Sequence, residues 1–97
     1  MKYRFLPPAL AELDEAAHYY DQERQGLGDE FLEEIEQSIS RILGFPEAWG
    51  EMSPQIRRCL TRRFPYGIVY QILDQEILIV AVMHLKRRPM YWQDRIQ

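Results

Sequence analysis

His84 is the residue of this chain best suited to move a proton. It follows an apolar run, I-L-I-V-A-V-M, and precedes L-K-R-R-P. An imidazole titrates near neutrality, so it can act as a general acid or base. Lys86, Arg87 and Arg88 come within four residues of it. Cations placed there can stabilise the charge that gathers on phosphorus during RNA cleavage. The same cations disfavour the protonated imidazole, and no second acid–base group stands beside it in the sequence. The plainer role of such a histidine is to end a strand and anchor the tail by hydrogen bonds.

Arginine supplies a second set. Arg57/Arg58 and Arg62/Arg63 are adjacent pairs in a segment, residues 56–63, that reads as a strand. Side chains alternate along a strand, so each pair splits between two faces. Ile56, Arg58, Leu60 and Arg62 share one side; Arg57, Cys59, Thr61 and Arg63 share the other. Ile56 and Leu60 make the first side the more apolar, and it is expected to face the helices. Arg57 and Arg63 are then expected beside the C-terminal tail. Guanidinium binds phosphate and carboxylate alike. Charged side chains on an outer strand also keep sheets from pairing edge to edge. Tyr66, Tyr70, Tyr91 and Trp92 interleave with these cations. Aromatics beside arginine can stack on bases, and more often they fill cores or interfaces. Tyr70 alternates with Ile68 and Ile72 and is expected in the core.

Other chemistries have no pattern here. The chain lacks CxxC, HExxH, GxGxxG and P-loop motifs, and neither a metal nor a cofactor is expected. The single cysteine, Cys59, lies inside a strand with no partner in the sequence, and His18 stands alone on an acidic helix.

The elements that must position these residues are legible from periodicity. Tyr3–Phe5 reads as a short strand, stopped by Pro7 and Pro8, which suit the first turn of a helix. A helix follows to Arg24, with Leu10, Leu13, Ala17 and Tyr20 on one stripe. Gly26 is expected to stop it and Asp29 to cap the next helix. That second helix carries Phe31, Ile35, Ile39 and Leu43 at steps of four, widened by Leu32 and Ile42, and Gly44 and Pro46 end it. Residues 47–54 read as a loop. Strands follow over 56–63, 67–73 and 76–84, with Asp74-Gln75 as the tight turn between the last two. The last strand is apolar at every position from Ile77 to Met83, so both its faces need cover. Helices can cover one face; the segment M-Y-W-Q-D-R-I, a partner, or both must cover the other. The order β-α-α-β-β-β defines a single α+β domain over residues 1–97.

Charge is divided along the chain. Residues 1–55 hold four basic and twelve acidic groups, a net of −8; residues 56–97 hold eight basic and three acidic groups, a net of +5. This suggests two faces with different partners, although helices rich in Glu and strand ends rich in Arg produce the same division. The longest apolar run is too short to span a bilayer. The start, M-K-Y-R-F-L-P-P, lacks the apolar stretch of a secretory signal, and the expected location is the cytoplasm.

The segments R-R-F-P-Y-G-I-V-Y and H-L-K-R-R-P-M-Y-W, on either side of a two-strand hairpin, resemble the RelE/ParE superfamily of type II toxin–antitoxin systems. G-L-G-D-E-F-L at the second helix and the P-E-A-W-G loop fit the same family, so the resemblance runs along nearly the whole chain. It implies a helical hairpin packed on a curved antiparallel sheet. It also implies a growth-inhibiting toxin, of the kind used in plasmid stabilisation, held inactive by a cognate antitoxin whose C-terminal segment covers the open sheet face. RelE-like members cleave mRNA on the ribosome; ParE-like members poison DNA gyrase without chemistry of their own. The R-F-P-Y and H-x-x-R-x-P-x-x-W forms are closer to the ParE-like branch, with Arg88 standing where an Asp is common.

A ribosome-directed nuclease approaches a dense array of phosphates, which favours strong positive charge. This chain has a net charge of −3. Its nuclease candidates would be His84, Arg63 and Tyr91, a thin set. The reading from sequence is therefore a gyrase-directed toxin. Its docking residues are expected to be Arg57, Arg63, Tyr66, His84, Lys86, Arg87, Arg88, Tyr91 and Trp92. The alternatives are an mRNA endoribonuclease and a toxin-like binding module without activity.

Overall fold

The computed structural model describes residues 1–96. The order is β1 (Lys2–Phe5), α1 (Pro7–Glu23), α2 (Leu27–Gly44), β2 (Glu51–Ser53), β3 (Ile56–Leu60), β4 (Tyr66–Ile72), β5 (Glu76–His84) and a 3-10 turn over Gln93–Arg95. The α+β class and the helical hairpin are as expected. The sheet is mixed rather than antiparallel: in the order β1-β5-β4-β3-β2, β1 runs parallel to β5. The crossover from β1 to β5 passes through both helices, as a parallel pair requires. β2 lies in the segment expected to be a loop; its three residues pair irregularly with β3 at the sheet edge.

The two helices meet at Gly28. A Cβ there would stand 2.4 Å from the Ala17 carbonyl oxygen and 2.8 Å from the Asp21 carboxylate, so only glycine permits this approach. Asp21 uses the closeness: it accepts the Gly28 amide at 2.7 Å and so caps α2 from the neighbouring helix. Asp29, expected as that cap, lies inside the first turn, where its charge suits the helix dipole. Gly26 takes φ +88°, which lets α2 start directly after the break. Phe31, Ile35, Ile39 and Ile42 of α2 are buried, while Leu32 is exposed. On α1 the buried positions are Ala9 and Ala16; Leu10, expected on the inner stripe, is exposed, and Leu13, Ala17 and Tyr20 are half-buried. The small alanines let α1 lie close over the sheet.

Two apolar clusters enclose the sheet. On the helix side Phe31, Ile35 and Ile39 meet Cys59, Ile68, Tyr70, Ile77, Ile79 and Val82. On the other side Ile56, Val69, Leu78, Val80, Ala81 and Met83 are covered by Trp92, with Met90, Tyr91 and Ile96 around it. The tail therefore supplies the second cover, and β5 is buried from Ile77 to Met83 without any partner. Of the covers expected for that face, the tail is the one this chain itself supplies.

Two face assignments are corrected. Cys59 faces the helices and Ile56 faces the tail, the reverse of the expectation for β3. Arg57 therefore lies on the helix side, where its Nη1 donates to the Trp49 carbonyl at 2.6 Å and its Nη2 stands 3.7 Å from Glu51. On β5 strict alternation fails. Val69 pairs with Ala81 and Tyr70 with Ile79, so Val80 is an extra residue, a bulge. Val80 and Ala81 both face the tail, and the phase flips beyond them. Val82 joins the helix-side cluster with Ile77 and Ile79. His84 is thereby carried to the helix side, away from Leu78 and Val80.

The β4–β5 turn closes at Asp74-Gln75, with the Leu73 amide donating to the Glu76 carbonyl at 2.9 Å. It does so without the left-handed residue expected at Asp74; among the described residues, only Gly26, Gln55, Phe64 and Met90 have positive φ.

Candidate functional site

The C-terminal ends of β3 and β5 place two cationic loops side by side. β3 stops at Leu60, three residues earlier than expected, so Arg62 and Arg63 belong to a turn and not to a strand face. Thr61 holds this turn: its hydroxyl donates to the Phe64 carbonyl at 2.8 Å. Glu34 of α2 accepts the Arg62 amide at 2.6 Å. At the other loop, the Arg87 amide donates to the His84 carbonyl and the Leu85 amide to the Pro65 carbonyl, at 3.0 and 2.9 Å. The last bond ties the two loops together. Arg62, Arg63, Lys86, Arg87 and Arg88, all exposed, form one basic rim.

A cleft of about 220 Å³ opens beside this rim, lined by Glu12, Glu15, Ala16, Tyr19, Tyr66, His84 and Arg87. Tyr66 and His84 are cross-strand partners, with rings edge to face at 5.1 Å. Such a pair fixes the imidazole against the sheet. Its Nδ1 accepts the Lys86 amide at 3.0 Å, which holds the turn that follows. Burial pushes the Tyr66 hydroxyl up from its ordinary pKa of 10.0, so it stays a neutral donor at physiological pH.

The centre of this end of the molecule is a residue that periodicity did not single out. Glu12, on α1, accepts the Val82 amide at 3.0 Å, the Tyr91 hydroxyl at 2.6 Å and a two-pronged pair from Arg95 at 2.9 and 2.8 Å. Arg95 also donates to the Val80 carbonyl at 3.0 Å, so backbone groups of β5 beyond the end of β1 are engaged by side chains. Burial pushes the Glu12 carboxyl up, but the hydrogen bonds from Arg95, Tyr91 and Val82 outweigh it and hold the group below its usual 4.5. Burial and the Glu12 contact push the Tyr91 phenol well up. Only one sequence signal hinted at this knot: an acid of α1 stands out of place, since Glu12 follows Ala9 by three residues and so approaches the buried face.

The expected docking residues are thus only partly brought together. Tyr66, His84 and Arg87 line one cleft; Lys86 and Arg88 share its turn; Arg63 lies on the adjoining loop. Tyr91 sits beneath Arg87, whose guanidinium lies 3.9 Å from its ring centroid. Arg57 is elsewhere, on the helix side of β3. Trp92 has no exposed surface, so it is a core residue and not part of a docking face. Of the nuclease candidates, Arg63 pairs with Glu30 at 2.7 Å, Tyr91 with Glu12, and His84 with the Lys86 amide. Cys59 is fully buried and burial pushes its thiol up, which removes it as a nucleophile at neutral pH. Arg57–Glu51, Arg63–Glu30 and Arg95–Glu12 also join the basic half of the chain to the acidic half, so part of the charge division is internal pairing.

A helical hairpin on a five-stranded mixed sheet, with a basic rim and a tail folded under it, defines a two-layer α+β domain. Residues 3–89 match the ParE toxin of the type II toxin–antitoxin system, parDE, and the chain belongs to that family. A solved chain from the chromosomal ParDE TA system of P. aeruginosa has the same fold: its TM-score is 0.66, it covers 89% of this chain and 97% of its own, and it is 16% identical. No curated protein matches the chain. Among the described residues, no helix is long and apolar enough to cross a membrane.

Proposed function

We propose that this ParE-family toxin inhibits DNA gyrase in the cytoplasm by docking on it, without catalysis, and that a cognate antitoxin neutralises it. The observation that supports docking over cleavage is the engagement of the three nuclease candidates. Arg63, Tyr91 and His84 are each held by a different structural partner, and only His84 lines the cleft. A general base must reach its substrate proton, and a catalytic cation must be free to meet developing charge. The exposed residues around them are cations on two pinned loops, which suits a protein surface with complementary charge.

The test uses the purified protein in two assays. Gyrase-driven supercoiling of plasmid DNA is expected to fall with added toxin, and ribosome-bound mRNA is expected to stay intact. Cleaved mRNA with supercoiling untouched would replace this reading by the endoribonuclease one. No effect in either assay, and no slowing of growth on expression without antitoxin, would make the chain a binding module only.

A further inference from the structure

The five rim cations are not equivalent, and their differences follow from what each touches. Arg63 is ordered but compensated: Glu30 pairs with it at 2.7 Å and Phe64 stacks beneath it at 4.8 Å. Arg62, Lys86 and Arg88 have neither a carboxylate nor a ring against their side chains among the described residues, so they keep their rotamer freedom. Among the described residues of the rim, Arg87 is the cation that a ring orders and no ion pair compensates. Its backbone is fixed by the turn bond to His84, and its guanidinium lies over Tyr91 at 3.9 Å. Tyr91 is itself immobilised, because its hydroxyl is held by Glu12, which Arg95 and the Val82 amide hold in turn. The charge of Glu12 is already matched by Arg95. Among the described residues no ion pair takes up the charge of Arg87; Glu15 lines the same cleft without pairing to it.

An exposed arginine loses side-chain entropy when it binds, so one already stacked in place loses less. Arginine in such a position dominates an interface out of proportion to its area. The neighbourhood indicates what it meets. The cleft of about 220 Å³ has the rings of Tyr19 and Tyr66 on its wall and room for about one side chain. Glu15 stands on the same wall; it opposes a run of phosphates, which brings several charges, more than one carboxylate that Arg87 meets directly. A single carboxylate can take both prongs of one guanidinium while its stem meets the rings.

We infer that Arg87, positioned by Glu12 through Tyr91, is the principal anchor of the target-docking surface, and that it receives an acidic side chain of the target protein in the Tyr19–Tyr66–His84 cleft. This rests on the gyrase reading and names the chemistry of its contact. Arg87 is the binding residue; Tyr91 and Glu12 are positioning residues.

The experiment measures equilibrium binding of purified DNA gyrase to the full-length toxin, and separately of a duplex DNA fragment without gyrase. Arg87→Ala is expected to weaken gyrase binding about thirtyfold, the loss typical of an anchor residue, with the melting temperature unchanged. Arg87→Lys, which keeps the charge but not the planar fork, is expected to recover only a minor part. Tyr91→Leu removes the platform, and in that background Arg87→Ala is expected to add less than threefold; this coupling is absent if Tyr91 is merely structural. Lys2→Ala, at the opposite end of the sheet, is expected to change nothing. Wild-type binding to gyrase that Arg87→Ala leaves intact overturns the inference and spares the gyrase reading. Tight binding to the DNA fragment alone, lost in Arg87→Ala, overturns the choice of a carboxylate. No wild-type binding to gyrase overturns both readings.

Discussion

The carboxylate of Glu12, in the second turn of α1, accepts the amide of Val82 at 3.0 Å, seventy residues along the chain and two past the bulge in β5. This bond joins helix, strand and tail at one point, because the same carboxylate receives Tyr91 and Arg95 from the tail. A half-buried carboxylate with four donors is a strong organiser and a vulnerable one. Removing it leaves a guanidinium, a phenol and an amide without their acceptor.

Glu12→Ala is therefore expected to cost about 3–5 kcal/mol, the range for breaking one side of a buried ion pair. Urea denaturation followed by tryptophan fluorescence checks this directly, since Trp92 belongs to the tail that Glu12 secures. A loss below about 1 kcal/mol, the scale of a surface pair, would show that the knot is solvated in solution.

The pH dependence follows from the direction of the Glu12 shift. Its folded-state pKa is below the usual 4.5, so the contribution to stability is fully present above that value. It is lost as pH falls through the lowered folded-state value. Denaturation midpoints of wild type and Glu12→Gln, compared from neutral pH into acid, are expected to differ by a constant amount until about pH 5 and to converge below it. A gap that widens in acid would mean that the sign of the shift is wrong.

Gly28→Ala places a methyl carbon 2.4 Å from the Ala17 carbonyl oxygen, which belongs to backbone and cannot swing aside. The helices must separate, and the Asp21 cap on the Gly28 amide lengthens with them. The expected cost is about 1–3 kcal/mol, the usual range for overpacking, seen as a lower melting temperature. Gly44→Ala is the comparison, because a Cβ there meets nothing within 4 Å; it should be close to neutral.

Trp92→Ala removes the largest side chain of the tail-side cluster and is expected to cost about 3–5 kcal/mol. Its more telling effect is local. Amide exchange at Leu78, Val80 and Met83 should accelerate far more than at Ile39 or Ile42 of α2, since only the former lie under the tail. Uniform acceleration would mean that the tail and the helical hairpin unfold as one unit.

In cells, expression without antitoxin is expected to depress DNA synthesis before protein synthesis, as pulse labelling of both would reveal. If protein synthesis falls first, the ribosome is the target, and His84→Ala becomes the decisive variant.

Much of this molecule can be read from local spacing. The stripe Phe31, Ile35, Ile39 marks α2 because buried positions on a helix recur every three to four residues. The unbroken apolar run from Ile77 to Met83 demands cover on both faces, and the M-Y-W-Q-D-R-I tail was a natural source of it. The cations around His84 mark one end of the sheet. These signals are legible because each depends on neighbours within a turn of helix or a few strand residues. What spacing could not decide was which face each strand residue meets. Ile56 and Leu60 outweigh Cys59 and Thr61 in hydropathy, yet Cys59 takes the helix side because its ladder partner Ile68 does. One extra residue at Val80 reverses the phase of β5, and no composition signal announces it. Likewise, the partner of Glu12 is an arginine eighty-three residues away. Local patterning determined the elements and the charged rim, because those depend on short-range sterics and hydropathy. Strand register and chain closure decided that His84 turns toward α1, that Trp92 is core, and that Glu12 holds the tail, because those depend on which distant backbone groups must be satisfied together.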